Sequence, residues 1–136
     1  MNTNNRVIRE KKSHEEDDIL KESFKLKNKF RHITLYPGAQ ILMKKFESFY
    51  ENSSNQVVLD FGCGKGFDSL KLLKSGATVH GIDIAENYIT ESIELAKKNG
   101  FSEDTFKFQV MDAHHLEFED DKFDLVIGNG ILHHLD

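Results

Sequence analysis

From residue 56 onward, short apolar runs alternate with segments of helical periodicity, and this alternation limits the possible folds more than any other feature. The pattern predicts strands at residues 56–61, 78–83, 105–111 and 123–128, with helices at 67–75 and 86–99 between the first three. Strands joined through helices are parallel, and their crossovers are right-handed. The sequence therefore predicts an α/β fold with an open, doubly wound parallel sheet.

Residues 1–55 have a different pattern, which predicts a helical lead-in or cap ahead of the sheet domain at 56–136. Apolar residues spaced as on a helix predict a short amphipathic helix at 18–31. A second helix is expected to begin at Pro37, with an apolar stripe that includes Ile41, Phe46 and Phe49. The polar run at 51–55 marks the boundary between the two parts.

The composition indicates a cytoplasmic protein. No stretch approaches the ~20 apolar residues of a membrane span, and the first residues lack the apolar core of a secretory signal. Residues 1–31 hold nine Lys/Arg and six Asp/Glu, a balance of +3, so the total of −5 leaves −8 for residues 32–136. An acidic sheet domain argues against a large nucleic-acid surface, and we expect a small-molecule partner.

The loop after the first strand carries three glycines at alternate positions, Gly62, Gly64 and Gly66. Glycine permits positive φ and lets a ligand approach the backbone, which suits a nucleotide-like molecule. A dinucleotide fingerprint would require glycine where Phe67 stands, and a phosphate loop would not place glycine directly after its lysine. Asp60 precedes the loop, where a carboxylate would repel a pyrophosphate and attract a cationic ligand.

A second acid, Asp83, closes the second strand at the place where a carboxylate accepts hydrogen bonds from ribose hydroxyls. Ile84 follows it and could pack on an adenine face. Capping of the next helix is the alternative role for Asp83.

At these residues the chain resembles the class I S-adenosylmethionine-dependent methyltransferases, in the branch that modifies small molecules. The similar segments are 57–66, 81–84, 111–113, 123–127 and 132–135. The resemblance implies a Rossmann-like sheet with strand order 3-2-1-4, and S-adenosylmethionine as cofactor. It also implies a set of cofactor-binding residues, namely Asp60, Gly62, Cys63, Gly64, Gly66, Asp83, Ile84, Asp112, Ala113 and Asn129.

Two adjacent histidines, His133 and His134, follow the fourth strand, where the methyl group is expected to point. Either one could accept a proton from the methyl acceptor as a general base, or be a structural residue. With His114 and His115 they form two pairs, but no metal-ligand spacing accompanies them, so we expect no metal site.

The chain ends soon after the fourth strand, whereas the family's sheet continues with further strands. We expect truncation of a longer enzyme, or pairing of the exposed strand edge with another chain. A module that holds the cofactor without transferring its methyl group is the alternative function. A dehydrogenase is disfavoured by Asp60 and Phe67.

Overall fold

The structure, a computed structural model, describes residues 37–129 and 131. The chain divides into two compact units, with the boundary between Asn52 and Ser53. The described part of the first unit is helix α1, Pro37–Glu51. The second unit contains, in chain order, β1 (Val57–Phe61), α2 (Phe67–Ser75), β2 (Thr78–Asp83), α3 (Glu86–Lys98), β3 (Phe106–Val110) and β4 (Leu125–Ile127). The helix predicted at 18–31 lies outside the described residues.

Helix α1 begins at Pro37, as predicted, because proline fits the first helical position without losing a backbone hydrogen bond. The expected apolar stripe is only partly buried. Tyr50 is 6% exposed, whereas Ile41 and Phe49 are 61% and 54% exposed. Among the described residues, each helix is too short or too polar to cross a bilayer.

The four strands form one parallel sheet in the order β3-β2-β1-β4, which confirms the predicted fold class. The bounds of α2 and β2 match the prediction, and β4 is shorter than the predicted 123–128. Backbone and side chain of one residue fix the position of β4: Asp124 Oδ2 accepts the Val57 N–H at 2.8 Å, and the Asp124 N–H donates to the Val57 carbonyl at 2.9 Å. This pair holds β4 beside β1 at its start.

Helices α2 and α3 contact each other and the sheet, α2 on β1 and β2 and α3 on β2 and β3. Both crossovers run in the same direction along the sheet, so right-handed connections put both helices on one face. In α2 the buried residues are Ser69, Leu72 and Leu73, and in α3 Ser92 is buried whereas Ile93 is only half-buried.

The opposite face of the sheet carries an open groove of about 790 Å³ along β1 and β4. Its lining includes Leu59, Phe118, Phe123 and Val126, together with the acidic run at 119–121. On β4, Val126 is 57% exposed on this face, because the two described helices that pack on the sheet, α2 and α3, cover the other face.

Candidate functional site

The candidate site lies at the carboxyl edge of the sheet, where the loops after all four strands meet. Strand order reverses between β1 and β4, because β2 and β3 follow on one side of β1 and β4 lies on the other. Such a reversal leaves a crevice outside the strand ends, and ligands of open α/β sheets bind there. The sequence-predicted cofactor residues all fall in these loops or at these strand ends.

The glycine loop between β1 and α2 is held tightly against the end of β2. The N–H groups of Gly62 and Cys63 both donate to the Ile82 carbonyl, at 2.9 and 2.8 Å. Gly62, Gly64 and Gly66 have φ of 74°, 51° and 80°, in the left-handed region that favours glycine. The loop therefore depends on glycine at all three positions for its backbone path.

The surroundings of Gly64 and Gly66 are different. A Cβ added at Gly66 would lie 2.7 Å from the Ser92 Cβ, so this glycine allows α2 to approach α3. A Cβ added at Gly64 would meet no atom within 4 Å. Gly66 therefore serves helix packing, and Gly64 leaves open space beside the loop backbone.

Asp83 connects the glycine loop to the start of α3. One carboxylate oxygen accepts the Gly64 N–H at 2.9 Å, and the other accepts the Ala85 N–H at 2.9 Å, at the beginning of α3. Capping of α3 and binding of ribose hydroxyls are thus compatible roles for Asp83. A carboxylate offers about four lone-pair positions, and the two backbone N–H groups occupy only two of them. Asp83 therefore retains capacity to accept further hydrogen bonds.

Asp60 lies beneath the loop rather than in the crevice wall, and it is 2% exposed. Its carboxylate accepts a hydrogen bond of 2.5 Å from the Ser69 hydroxyl on α2. Burial raises the pKa of Asp60 to about 6, and the nearby charges of Asp68 and Asp83 add to the rise, while the Ser69 hydrogen bond opposes it. The site thus contains a buried carboxyl group whose pKa is well above the usual range for Asp.

Cys63 is buried under the loop, at 7% exposure. Burial raises the pKa of its thiol, and the charges of Asp60 and Asp83 raise it further. A thiol that stays protonated is a poor nucleophile, so its side chain acts as a small packing group. Gly81 on β2 lies directly below, since a Cβ there would lie 3.0 Å from the Cys63 Sγ.

At the ends of β2 and β3 three of the predicted cofactor-binding residues are half-buried, namely Ile84, Asp112 and Ala113. Asp112 Oδ1 accepts the His114 backbone N–H at 2.9 Å and lies 2.9 Å from His114 Nδ1. These contacts fix the Asp112 carboxylate on the side of the crevice nearest β3.

Across the crevice, Asn129 follows β4 and contacts the first turn of α2. Its Nδ2 donates to Asp68 Oδ2 at 3.0 Å. Ile131 lies beside the same crevice, because a Cβ added at Gly62 would lie 2.8 Å from its side chain. The predicted catalytic residues His133 and His134 lie outside the described residues. In the part of the chain that the structure describes, no group of three His, Cys, Asp or Glu side chains has a metal-binding arrangement.

Sequence reasoning missed two residues of this site, Ser69 and Asp68. Both lie in the first turn of α2, and each bonds a residue distant along the chain, Asp60 and Asn129 respectively. An acidic residue near a helix N-terminus signals favourable interaction with the helix dipole, which explains Asp68 without revealing its partner.

The glycine loop, the acidic strand ends and the switch-point crevice are features of α/β proteins that bind nucleotide-like ligands. A family model described as a methyltransferase domain matches residues 52–136. The chain belongs to this methyltransferase family, which confirms the resemblance indicated by the sequence motifs.

Two curated relatives share about a third of the aligned residues. The O-antigen chain terminator bifunctional methyltransferase/kinase WbdD of Escherichia coli is 35% identical over 91 residues, covering 63% of this chain and 13% of that protein. The methyltransferase GfsG of Streptomyces halstedii is 35% identical over 94 residues, covering 66% of this chain and 34% of that protein.

A solved structure shows the same fold. Magnesium protoporphyrin IX methyltransferase (ChlM) from Synechocystis PCC 6803, with bound SAM, has a TM-score of 0.59 and 28% identity. The match covers 73% of this chain and 48% of that one. The chain thus spans less than half the length of each of these relatives.

Proposed function

We propose that this chain binds S-adenosylmethionine along the carboxyl edge of its sheet, and that the protein transfers the cofactor's methyl group to a small-molecule acceptor. The observation that carries the proposal is the Asp83 carboxylate, which holds the Gly64 N–H at 2.9 Å beside open space. This arrangement holds the loop backbone in place and leaves acceptor positions on the carboxylate for ribose hydroxyls.

The remaining predicted residues fit the cofactor in the same orientation. Ile84 would pack on the adenine face, and Asp112 with Ala113 would meet the adenine edge at the end of β3. The methionine part would then extend from the glycine loop toward β4, where Asn129 lies. This assignment uses the strand order β3-β2-β1-β4, which places these three regions in sequence along one edge.

The charge of the site supports a cationic ligand over a pyrophosphate. Asp60, Asp68 and Asp83 surround the loop closely enough that the latter two raise the pKa of Asp60. A ligand with an ammonium and a sulfonium group would relieve this repulsion, whereas phosphates would add to it. Because Asp60 is buried, it would act through its field and not through direct contact.

The relatives support methyl transfer as the reaction, since GfsG is named a methyltransferase and ChlM was solved with bound SAM. When bound, this cofactor supplies a methyl group activated by its sulfonium sulfur. The residues of this chain would bind and orient the cofactor and exclude water from the crevice. Alignment of the reacting groups alone can lower the activation barrier by roughly 7–11 kcal/mol.

The test is thermal unfolding of the chain with S-adenosylmethionine, S-adenosylhomocysteine or NAD. A ligand present at ~100 times its dissociation constant stabilises the fold by about 2.7 kcal/mol, which for a chain of this length raises Tm by roughly 10 °C. We expect the first two ligands to give this rise and NAD to give none. A rise with NAD alone would refute the proposal.

Cofactor binding without methyl transfer would fit the alternative of a binding module. The two are separated by incubating the complete protein with S-adenosylmethionine and a panel of small-molecule acceptors, and measuring S-adenosylhomocysteine. Formation of that product only when an acceptor is present supports the enzyme. Tight binding with no turnover on the whole panel supports the module.

A further inference from the structure

The hydrogen bonds that lower the pKa of the buried Asp60 carboxyl group both come from one residue of α2, Ser69. The Ser69 hydroxyl donates to Asp60 Oδ2 at 2.5 Å, and the backbone N–H of Ser69 also acts on the carboxylate. Such a short distance is typical of a hydroxyl that donates to an ionised carboxylate. Ser69 is itself 0% exposed, so bulk water does not reach this hydrogen bond. Ser69 therefore stabilises the ionised form of Asp60.

The charged groups around Asp60 oppose its ionisation. Two charges shift its pKa, those of Asp68 in the first turn of α2 and Asp83 at the end of β2, and both are negative and raise it. The Cys63 thiol of the glycine loop adds no charge, because burial raises its own pKa. Either a proton on Asp60 or a cation near it would relieve this repulsion.

The lysines closest in sequence to this group of carboxylates are engaged with other acids. Lys71 Nζ contacts Asp68 Oδ1 at 2.8 Å, and Lys65 Nζ of the glycine loop contacts Glu91 Oε2 on α3 at 3.2 Å. Within the described part of the chain, the charges that shift the pKa of Asp60 include no cation. A bound ligand is therefore the natural source of positive charge near Asp60.

Under the proposed function, on which this inference rests, the ligand brings an ammonium and a sulfonium group to the same loop. A cation within ~4–6 Å of a carboxyl group lowers the pKa of that group by about one pH unit or more. The bound state then holds fewer protons on Asp60 than the free protein does, and the difference must appear as proton release.

We propose that Ser69 is a positioning residue that keeps the Asp60 carboxylate ionised beneath the glycine loop, and that a cationic ligand, when it binds, expels to solvent the proton that Asp60 still carries. The cofactor site is then sensitive to pH through a group that does not touch the ligand. Because the ionised form binds a cation more tightly, affinity is full above the pKa of Asp60, which is about 6, and decreases as the pH falls through that value.

The test is calorimetry in buffers of different ionisation enthalpy, which gives the number of protons released per ligand bound. S-adenosylmethionine is the cationic ligand, and 5′-methylthioadenosine, which has the same adenosine part and no charged group, is the neutral one. If binding lowers the pKa of Asp60 by about one pH unit, S-adenosylmethionine should release about half a proton at about pH 5.5 and almost none at about pH 7.5. Its affinity should decrease about fivefold from about pH 7.5 to about pH 5. The neutral ligand should show neither effect, whereas titration at the adenine end, where His114 contacts Asp112, would affect both ligands alike.

The variants separate Ser69 from Asp60. D60N removes the titrating group and should abolish the proton release. S69A removes only the hydroxyl, so the pH of maximal release should rise by about one pH unit, and S69T should return it to the wild-type value. Carbon-13 NMR of the Asp60 carboxyl group in free S69A should show the same rise without any ligand. S75A removes another hydroxyl of α2, which donates to the Leu72 carbonyl, and as the control it should keep the wild-type profile.

Each outcome supports or overturns the inference. Proton release that persists in D60N would assign the release to another group, and an unchanged pH profile in S69A would remove the role of Ser69. Equal release with 5′-methylthioadenosine would show that the charge of the ligand is not the cause. If neither ligand binds the wild-type chain, the proposed function fails, and this inference fails with it. Binding of S-adenosylmethionine with constant affinity and no proton release across this pH range defeats this inference alone.

Discussion

Substituting the second and the third glycine of the loop by alanine separates ligand binding from folding. Gly64 and Gly66 both have positive φ, so an alanine at either position pays the same backbone penalty of roughly 1–2 kcal/mol. Reduced entropy of the unfolded chain offsets this by about 0.4–1 kcal/mol. For Gly64→Ala, where the added Cβ meets no atom, we expect the free energy of unfolding to fall by about 1 kcal/mol.

Gly66→Ala carries an additional steric cost. Its Cβ would lie 2.7 Å from the Ser92 Cβ and 3.1 Å from the Ser92 Cα, so α2 and α3 must move apart. Overpacking of this kind costs roughly 1–3 kcal/mol. Because the backbone and unfolded-state contributions are common to both variants, the difference between them should equal this steric cost.

Gly66→Ala should be the more destabilising variant, whereas Gly64→Ala should weaken cofactor binding more. The Cβ of Gly64→Ala enters the open space where we place the cofactor, and should weaken S-adenosylhomocysteine binding about tenfold or more, a cost of at least ~1.4 kcal/mol. Gly66→Ala directs its Cβ toward α3, and affinity at a temperature where it stays folded should change less. Urea unfolding and calorimetry measure the two quantities. Unchanged affinity in a folded Gly64→Ala variant would refute our placement of the cofactor.

Three further predictions concern carboxylates and the sheet face. Asp83→Asn should weaken S-adenosylhomocysteine binding about tenfold in calorimetry, since hydrogen bonds to a charged acceptor are worth ~1.5–3 kcal/mol; unchanged affinity would remove Asp83 from the site. Burial raises the pKa of Asp60 from 3.8 to about 6, so the folded state binds a proton more tightly than the unfolded state does. The free energy of unfolding should therefore increase by up to about 3 kcal/mol as the pH falls through about 6 toward 4. Urea unfolding should show this pH dependence in the wild-type chain and not in Asp60→Asn. A slope that survives in Asp60→Asn would assign it to another group. We also propose that the chain self-associates through β4, whose Val126 is 57% exposed on its apolar face. Val126→Lys should lower the molar mass measured by light scattering, and a monomeric wild-type chain would contradict the self-association.

Local patterns in the sequence predicted most of the fold. Helix α2 and strand β2 have the predicted bounds. Gly66 and Gly76 flank α2 and both adopt the left-handed φ that favours glycine, so the residue type alone indicates where the helix begins and ends. The short β4 was predicted too long, since its ends depend on pairing with β1 and not on its own apolar residues.

The candidate site was predicted less completely. Glycines and acids at strand ends are local signals, so Gly64 and Asp83 could be identified from their spacing. The hydrogen bonds of Ser69 and Asp68 could not, because each joins α2 to a residue that only the packed sheet brings within reach. The burial of Asp60 likewise results from packing, although its charge is evident in the sequence.

The sequence by itself determined the alternation of strands and helices, the glycine loop and the family, because each depends on neighbouring residues and their backbone preferences. Only the tertiary structure decided what the carboxylates do. It buried Asp60 and raised its pKa, joined Asp83 to Gly64, and joined Asn129 to Asp68. The reason is physical: pKa values and hydrogen-bond orientation depend on solvent exclusion and on partners distant in the chain, which exist only after the sheet and its helices have assembled.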